Sequence, residues 1–218
     1  MKIILCGSSG KCGKEVYKQL LNNNYEIVAT VDKDSKPLKY YLQIEKEIDL
    51  IIDFTNSQVA YKHLLLAIEE KIPFVCGTTG FNNEEIQNLK KLCLKKQIKG
   101  IICPNFAIPI NILINNFETL SSDFEEVILE EYHHLSKIDI PSGTAKILKK
   151  KNPLLKINSF KYDSYLITYH LTFNSKYAKM EIDYKVESKI VYAKGLLYCL
   201  KHPNLFYNLL DWKGKKWI

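Results

Sequence analysis

The stretch Tyr132-His133-His134-Leu135-Ser136-Lys137-Ile138-Asp139-Ile140-Pro141-Ser142-Gly143-Thr144-Ala145 places two imidazoles, an ammonium and a helix-opening turn in one short segment. The ordinary pKa of imidazole lies near neutrality, so His133 and His134 are suited to exchanging protons under physiological conditions. Pro141-Ser142-Gly143-Thr144 reads as a turn opening a helix through Ala145, Ile147 and Leu148, with Ser142 or Thr144 near its N-cap. First-turn N–H groups and the positive end of such a helix form a seat for an anion. A carboxylate is the natural guest, with His133, His134 and Lys137 arriving from the preceding loop to supply protons and charge. The plainer reading is a strand end followed by a solvated loop with incidental histidines. Two of the chain's five histidines adjoin here, directly before a helix start, and that coincidence favours a proton donor beside a carboxylate trap.

A second pattern concerns phosphate. Gly7-Ser8-Ser9-Gly10-Lys11-Cys12-Gly13 follows a strand-like run and opens a helix, the setting that a dinucleotide fingerprint requires. The spacing is G-x-x-G-x-x-G, with Ser9 where the commonest form has its second glycine. Gly7 permits a tight turn, Gly10 lets the backbone approach a pyrophosphate, and Gly13 lets helix and strand pack closely. About twenty residues on, Asp32 is placed to accept from the ribose hydroxyls of an adenosine. Its neighbour Lys33, like Lys11, is a cation suited to the extra phosphate of NADPH, so the pattern predicts use of NADH, NADPH or both. Gly77-Thr78-Thr79-Gly80 and Cys103-Pro104-Asn105-Phe106 end two later strands and would line the nicotinamide end of the same cofactor.

These residues need a scaffold that gathers them. The first hundred residues alternate strand and helix with short connections, as a doubly wound sheet does. Strands are predicted at 3–6, 25–31, 50–53, 74–76 and 100–103, with helices at 14–21, 59–70 and, capped by Asn82, through Lys96. Helical content between Pro37 and Lys46 is left open. All five strands would end in glycine-bearing or polar loops at the carboxyl edge, where ligands bind in such sheets. After Pro104 the character changes to α+β: a helix near 110–120, a segment at 125–131 without a clear type, and antiparallel strands at 164–173 and 178–187. In the last of these Met180, Ile182, Tyr184 and Val186 alternate with Glu181, Asp183, Lys185 and Glu187, giving one apolar and one wet face. A helix near 191–200 and a tail carrying Trp212 and Trp217 complete the chain.

Composition bounds the alternatives. With 218 residues, 46% of them hydrophobic, the chain can bury a sizeable core in one large or two small domains. No apolar run is long enough to span a bilayer, and the N-terminus lacks a signal-peptide layout, so a cytoplasmic, membrane-free protein is expected. The net charge of +7 comes without a single arginine, and the lysines are dispersed among acids along helices. Arginine is the usual reader of base edges, so a solvated surface is expected, and no nucleic-acid partner. The cysteines Cys6, Cys12, Cys76, Cys93, Cys103 and Cys199 form no C-x-x-C pair and no metal-ligand spacing; no metal is expected. Cys12 alone falls in a helix first turn that favours a thiolate.

Gly7 to Gly13, Asp53-Phe54-Thr55, Gly77-Thr78-Thr79-Gly80, Pro104-Asn105-Phe106 and the run from Glu131 to Ala145 together resemble the 4-hydroxy-tetrahydrodipicolinate reductase (dihydrodipicolinate reductase) family of lysine and diaminopimelate biosynthesis. The motifs are collinear over most of the chain, and H-H-x-x-K-x-D-x-P-S-G-T-A is the most specific of them. The resemblance implies an N-terminal Rossmann-like, doubly wound parallel sheet with an inserted α+β substrate and oligomerisation domain. The dinucleotide domain would take residues 1–104, completed by 195–218, and the substrate domain residues 105–194. It implies a general acid/base at His133, a proton-donating and carboxylate-pairing lysine at Lys137, and substrate contacts from His134, Lys137, Ser142, Gly143 and Thr144. Cofactor contacts would come from Gly7, Ser8, Ser9, Gly10, Lys11, Cys12, Asp32, Gly77, Thr78, Thr79, Cys103, Pro104, Asn105 and Phe106. A small dicarboxylate substrate and a homotetramer follow from the same resemblance. The chain departs from the pattern in being shorter, in having Lys11 where arginine is frequent, and in showing Lys189-Ile190 where an Arg-Asp pair is common. A related dehydrogenase acting on aspartate or homoserine, or a non-catalytic dinucleotide sensor, would explain the glycine loop but not the paired histidines and the P-S-G-T-A turn.

Overall fold

The computed structural model describes residues 1–45, 47–164 and 166–206; Trp212 and Trp217 lie outside them. The chain forms two compact units, Met1–Ala107 joined by the chain from Tyr192 onward, and Ile108–Val191.

The first unit is built on a parallel sheet of five strands, β1 (Lys2–Cys6), β2 (Glu26–Val31), β3 (Leu50–Asp53), β4 (Phe74–Cys76) and β5 (Gly100–Ile102), in the order β2-β1-β3-β4-β5. Ile3, Ile4, Leu5, Ile51, Ile52, Phe74 and Val75 are buried, the continuous apolar runs that a sheet covered on both faces demands. Register aligns the carboxyl ends: Cys6 pairs with Val31 and Asp53, Asp53 with Cys76, and Cys76 with Ile102. One further rung continues into the loops, since Gly7 N donates to Val31 O at 2.8 Å and Phe54 N to Cys6 O at 2.9 Å. Gly77 N likewise donates to Asp53 O at 2.8 Å and Cys103 N to Cys76 O at 2.9 Å. Every cofactor loop expected from the sequence therefore leaves the sheet along one edge. Strand order reverses between β1 and β3, which makes the space beside Gly7 the switch point of the sheet.

Helices α1 (Lys11–Asn22), α2 (Leu38–Ile44), α3 (Ser57–Glu69) and α4 (Asn83–Lys96) connect these strands. Helix α1 begins three residues before the expected Lys14, because Gly13 sits in its first turn against the sheet although glycine propagates helices poorly. Helix α2 resolves the stretch left open: Leu38 is buried, and Tyr41 and Leu42, three and four residues on, pack on the same core. Its seven residues are too few for periodicity to declare it. Helix α4 carries the expected cap as a complete capping box, with Asn82 Oδ1 accepting from Glu85 N and Glu85 Oε2 accepting from Asn82 N, both at 2.8 Å.

The second unit contains α5 (Ile108–Ser121), β6 (Glu126–His134), α6 (Gly143–Lys151), β7 (Lys156–Tyr162), β8 (Ile167–Asn174) and β9 (Lys179–Val186). Its sheet runs β7-β6-β8-β9, parallel between β6 and β7 and antiparallel elsewhere. Val127, Leu129, Leu171 and Phe173 form the inner face, and Phe117 of α5 meets Phe173 with ring centroids 6.0 Å apart. The expected alternation of β9 holds: Met180, Ile182 and Tyr184 pair with Phe173, Leu171 and Tyr169, while Glu181, Asp183 and Lys185 are exposed. Strand β7 was not expected, because Ser159 occupies an inward position and breaks the apolar pattern of the segment. The undetermined segment at 125–131 is the body of β6.

Helix α7 (Ile190–Lys201) returns the chain to the first unit. A Cβ on Gly195 would lie 1.7 Å from the carbonyl oxygen of Phe106, so the helix approaches the backbone after β5 as closely as glycine permits. Gly195→Ala is expected to cost on the order of 3 kcal/mol and to lower Tm by about 6–12 °C. An unchanged thermal transition would show that α7 does not seat on the Phe106 carbonyl.

Candidate active site

The glycine loop separates fold from ligand position by position. Gly7 has φ +84°, and a Cβ there would lie 2.5 Å from Phe54 O; a Cβ on Gly13 would lie 1.8 Å from Gly7 O. Both glycines are required by backbone packing at the switch point. Gly10 is different: its φ of −71° and ψ of 166° suit any residue. The nearest atom to a Cβ at Gly10 is Gly7 O at 3.4 Å. The fold leaves that space clear, and a pyrophosphate approaching the N-terminus of α1 fits it. Lys11 and Cys12 open the helix, Lys11 exposed and Cys12 half-buried.

Asp32 follows β2 and turns back onto this loop. Ser8 Oγ donates to its Oδ2 at 2.5 Å, while Ser9 N and Ser9 Oγ donate to Oδ1 at 2.9 and 2.6 Å. Partial burial works against the charged form, but these hydrogen bonds outweigh it and hold the carboxyl below its usual range. Asp32 is thus a fixed anion beside the loop, with one lone pair of Oδ2 left for a ribose hydroxyl. Lys33 is exposed next to it.

Along the same edge, Asp53 is fully buried and accepts from Thr55 N (2.9 Å), Thr55 Oγ1 (2.8 Å) and Thr78 Oγ1 (2.9 Å), with His63 Nδ1 at 2.8 Å. It joins the loops after β3 and β4 to helix α3. Thr78 is buried in this knot, and Thr79 and Gly80 are exposed beyond it. A Cβ on Gly77 would strike the Phe54 ring at 2.2 Å. Cys103 and Phe106 are buried, Pro104 is half-buried, and Asn105 Oδ1 accepts from Ala107 N at 2.9 Å. Cys6 Sγ comes within 4.8 Å of the Asp53 and His63 ligand atoms, a three-residue grouping that the sequence spacing did not reveal. Burial and the Asp53 charge push the Cys6 thiol well up, and Asp53 Oδ2 and His63 Nδ1 already meet at 2.8 Å.

In the second unit the histidines lie on a strand end, not in the preceding loop as expected. Successive side chains on a strand point to opposite faces, so His133 and His134 leave β6 in opposite directions. His133 is 2% exposed, on the inner face with Val127, Leu129 and Glu131. Its Nε2 lies 3.2 Å from Glu131 Oε2, its ring meets Tyr169 edge-on at 5.7 Å, and its Nδ1 is buried without a hydrogen-bond partner among the described residues. An orphaned buried polar atom of this kind costs about 1–3 kcal/mol unless a ligand satisfies it. His134 faces the other way, its Nδ1 accepting from Ser136 N (3.1 Å) and meeting Ser136 Oγ (2.7 Å). Lys137 follows in the turn and donates to Asp139 Oδ1 at 2.8 Å.

Helix α6 begins as expected, and the structure selects Ser142 over Thr144 as its cap: Ser142 Oγ accepts from Ala145 N at 3.2 Å. Gly143 and Thr144 are its first two residues, whose N–H groups point out along the axis in any α-helix. Ser142 N donates to Glu131 Oε1 at 2.7 Å, and Ser159 Oγ donates to the same oxygen at 2.7 Å. Burial opposes ionisation of Glu131, yet its bonds from His133, Ser142 and Ser159 bring the pKa down to about 2. Tyr169 is pushed up to about 12 by burial, despite hydrogen bonds with Thr144 and Ser142. Glu131, Ser159 and Tyr169 were missed as site residues by sequence reasoning. The available signal was a carboxylate two residues before His133, on a face otherwise apolar.

The family description "Dihydrodipicolinate reductase, N-terminus" matches residues 1–106, and "Dihydrodipicolinate reductase, C-terminus" matches residues 109–212. A 4-hydroxy-tetrahydrodipicolinate reductase of Streptococcus uberis is 36% identical over 155 residues, an alignment covering 66% of this chain and 61% of the relative. The chain thus spans about three fifths of that relative's length. One of the same name from Carboxydothermus hydrogenoformans is 25% identical over 244 residues, covering 92% and 93% of the two chains. Among solved structures, the dipicolinate-bound dihydrodipicolinate reductase of Paenisporosarcina sp. TG-14 shares the fold, with a TM-score of 0.73 and 20% identity over 91% of this chain and 92% of that one. The WlbA dehydrogenase of Thermus thermophilus, solved with NAD and UDP-GlcNAcA, shares it with a TM-score of 0.69 and 10% identity over 96% and 90%.

The glycines provide the test of this edge. Gly13→Ala is expected to destabilise the protein strongly, whereas Gly10→Val leaves Tm within a few degrees and weakens NADH binding at least tenfold, about 1.4 kcal/mol. An unchanged NADH titration in a folded Gly10→Val variant would remove the loop from the cofactor site.

Proposed function

The chain belongs to the dihydrodipicolinate reductase family, and we propose that it reduces 4-hydroxy-tetrahydrodipicolinate to tetrahydrodipicolinate with NADH or NADPH, in lysine and diaminopimelate biosynthesis. The observation that carries this reading is His133, a buried imidazole with Nδ1 bare, joined through Glu131 to the N-terminus of a helix that opens with Ser142, Gly143 and Thr144. A proton carrier and a carboxylate seat are thereby fixed to one another.

A nicotinamide cofactor, when bound, supplies the hydride. The Gly7 to Cys12 loop takes its pyrophosphate, and Asp32 takes the adenosine ribose. Thr78 and Thr79, with Cys103, Pro104, Asn105 and Phe106, line the nicotinamide end. Lys33 and Lys11 offer cations to the extra phosphate of NADPH, while the fixed Asp32 anion disfavours it, so both cofactors are used.

The substrate is a small cyclic dicarboxylate, consistent with the dipicolinate named for the Paenisporosarcina protein. One carboxylate sits on the Gly143 and Thr144 N–H groups beneath the Ser142 cap. Lys137 exchanges Asp139 for a substrate carboxylate, and His134 adds a further polar contact. The N–H donors at the start of α6 are held before the substrate arrives, so they orient the ring and stabilise charge developing on it at little reorganisation cost. His133, supported by Lys137, supplies the proton that balances hydride transfer, and the 4-hydroxyl group leaves as water, so that substrate, NAD(P)H and one proton give tetrahydrodipicolinate, NAD(P)+ and water. No helix among the described residues is long and apolar enough to cross a membrane. A cytoplasmic homotetramer without nucleic-acid or membrane partners completes the reading.

The test is to mix the protein with the aldol product of pyruvate and aspartate semialdehyde and follow cofactor absorbance. Oxidation of both NADH and NADPH is expected, with a preference below about a thousandfold, or 4 kcal/mol. No substrate-dependent oxidation would end the reductase reading; a larger preference would end dual use alone.

His133→Gln is expected to lower kcat by about 10²–10⁴-fold with NADH binding nearly unchanged. Lys137→Met is expected to lower kcat and also to raise substrate KM, because it removes a cation from a carboxylate. Wild-type turnover in both folded variants would make the segment structural.

A further inference from the structure

We infer that Glu131 is the positioning residue of this site: its buried carboxylate holds Nε2–H of His133, leaves Nδ1 as the reactive nitrogen of the ring, and locks that ring to the N-terminus of α6. The inference rests on the reductase reading proposed above and gives it a part that the sequence motif did not contain.

Register makes the arrangement. Glu131 pairs with Ser159 on β7 and with Tyr169 on β8, so the three lie side by side across the sheet, and His133 follows two residues on, on the same face. The two carboxylate oxygens divide their work. Oε1 accepts from Ser142 N and Ser159 Oγ, both at 2.7 Å, and so fixes the carboxylate between the start of α6 and β7. Oε2 is left for His133 Nε2 at 3.2 Å. An ionised carboxylate only accepts hydrogen bonds, so Nε2 carries the hydrogen and neutral His133 is the Nε2–H tautomer. Protonation then places the second hydrogen on Nδ1, the buried nitrogen with no partner among the described residues. That proton is the one the ring can deliver.

The other titratable groups around the ring do not compete for this role. Tyr169 on β8 stays neutral, its hydroxyl shared with Ser142 and Thr144, and Lys161 is the register partner of His133 on β7 and is exposed. The start of α6 brings only the hydroxyls of Ser142 and Thr144.

Glu131→Gln tests the inference, because the amide can keep its oxygen on Ser142 and Ser159 while turning an N–H donor toward Nε2. That donor opposes Nε2–H and opposes the imidazolium. The expected result is a loss in kcat of about a hundredfold, with the dissociation constant for NADH unchanged. In the folded variant, nitrogen NMR of neutral His133 should show the Nε2–H tautomer lost, a change that a mere brace for α6 would not produce. Combining Glu131→Gln with His133→Gln should cost no more than His133→Gln alone, because the amide keeps the Ser142 and Ser159 bonds and the substitution acts only through that ring. Losses that multiply, or a tautomer that stays as in the wild type, would reduce Glu131 to a brace for α6. If Glu131→Gln does not fold, nitrogen NMR of wild-type His133 decides the matter at a pH where the ring is neutral. The Nε2–H tautomer is expected, and the Nδ1–H tautomer would overturn the proposal. A wild-type chain without reductase activity would sink the proposed reaction and leave this tautomer measurement still able to judge the pairing.

Discussion

Removing a carboxylate from water costs several kcal/mol unless hydrogen bonds replace the solvent it loses, and each unit of this chain buries one at or near the end of a central strand. Asp53 ends β3 and gathers Thr55, Thr78 and His63; Glu131 lies near the end of β6 and gathers His133, Ser142 and Ser159. In each case the partners come from separate elements, so the cost of burial is offset only when those elements are correctly placed. The charge acts as a geometric condition on its surroundings. Loops that would otherwise wander are specified by lone pairs that must be filled.

This explains which parts of the molecule were legible in the sequence. The parallel sheet was read from apolar runs, α4 from its cap and β9 from its alternation, all signals contained within ten or fifteen residues. The glycine loop was read from spacing, which set Gly7 and Gly13 apart as packing glycines from Gly10, and the backbone indeed requires the first two and leaves space at the third. Helix α2 escaped because seven residues hold too few turns for a period. Strand β7 escaped because its inward serine is polar for a reason located 28 residues away on β6.

The histidine pair shows the same limit from another direction. Its residue types and the following helix cap were enough to mark the site, and Ser142 does cap α6. What the linear motif concealed was orientation. The twofold repeat of a strand sends His133 inward and His134 outward, and it brings Glu131, absent from the expected set of site residues, onto the same face as the ring. The partners of the inward imidazole thus lie in a row across the sheet, which no linear motif displays.

The close seat of Gly195 on the Phe106 carbonyl also has a temporal side. The first unit is interrupted after Ala107 and resumes at Tyr192, so 84 residues (108 to 191) are synthesised between the two surfaces that meet there. At about 5–20 residues per second, α7 leaves the ribosome roughly 4–17 s after the sheet it completes. During that interval the nascent protein carries a bare patch around Phe106 that only its own later sequence can cover. Order of synthesis thus makes the inserted unit a delay line, and it leaves the first unit open at that surface until α7 has been made.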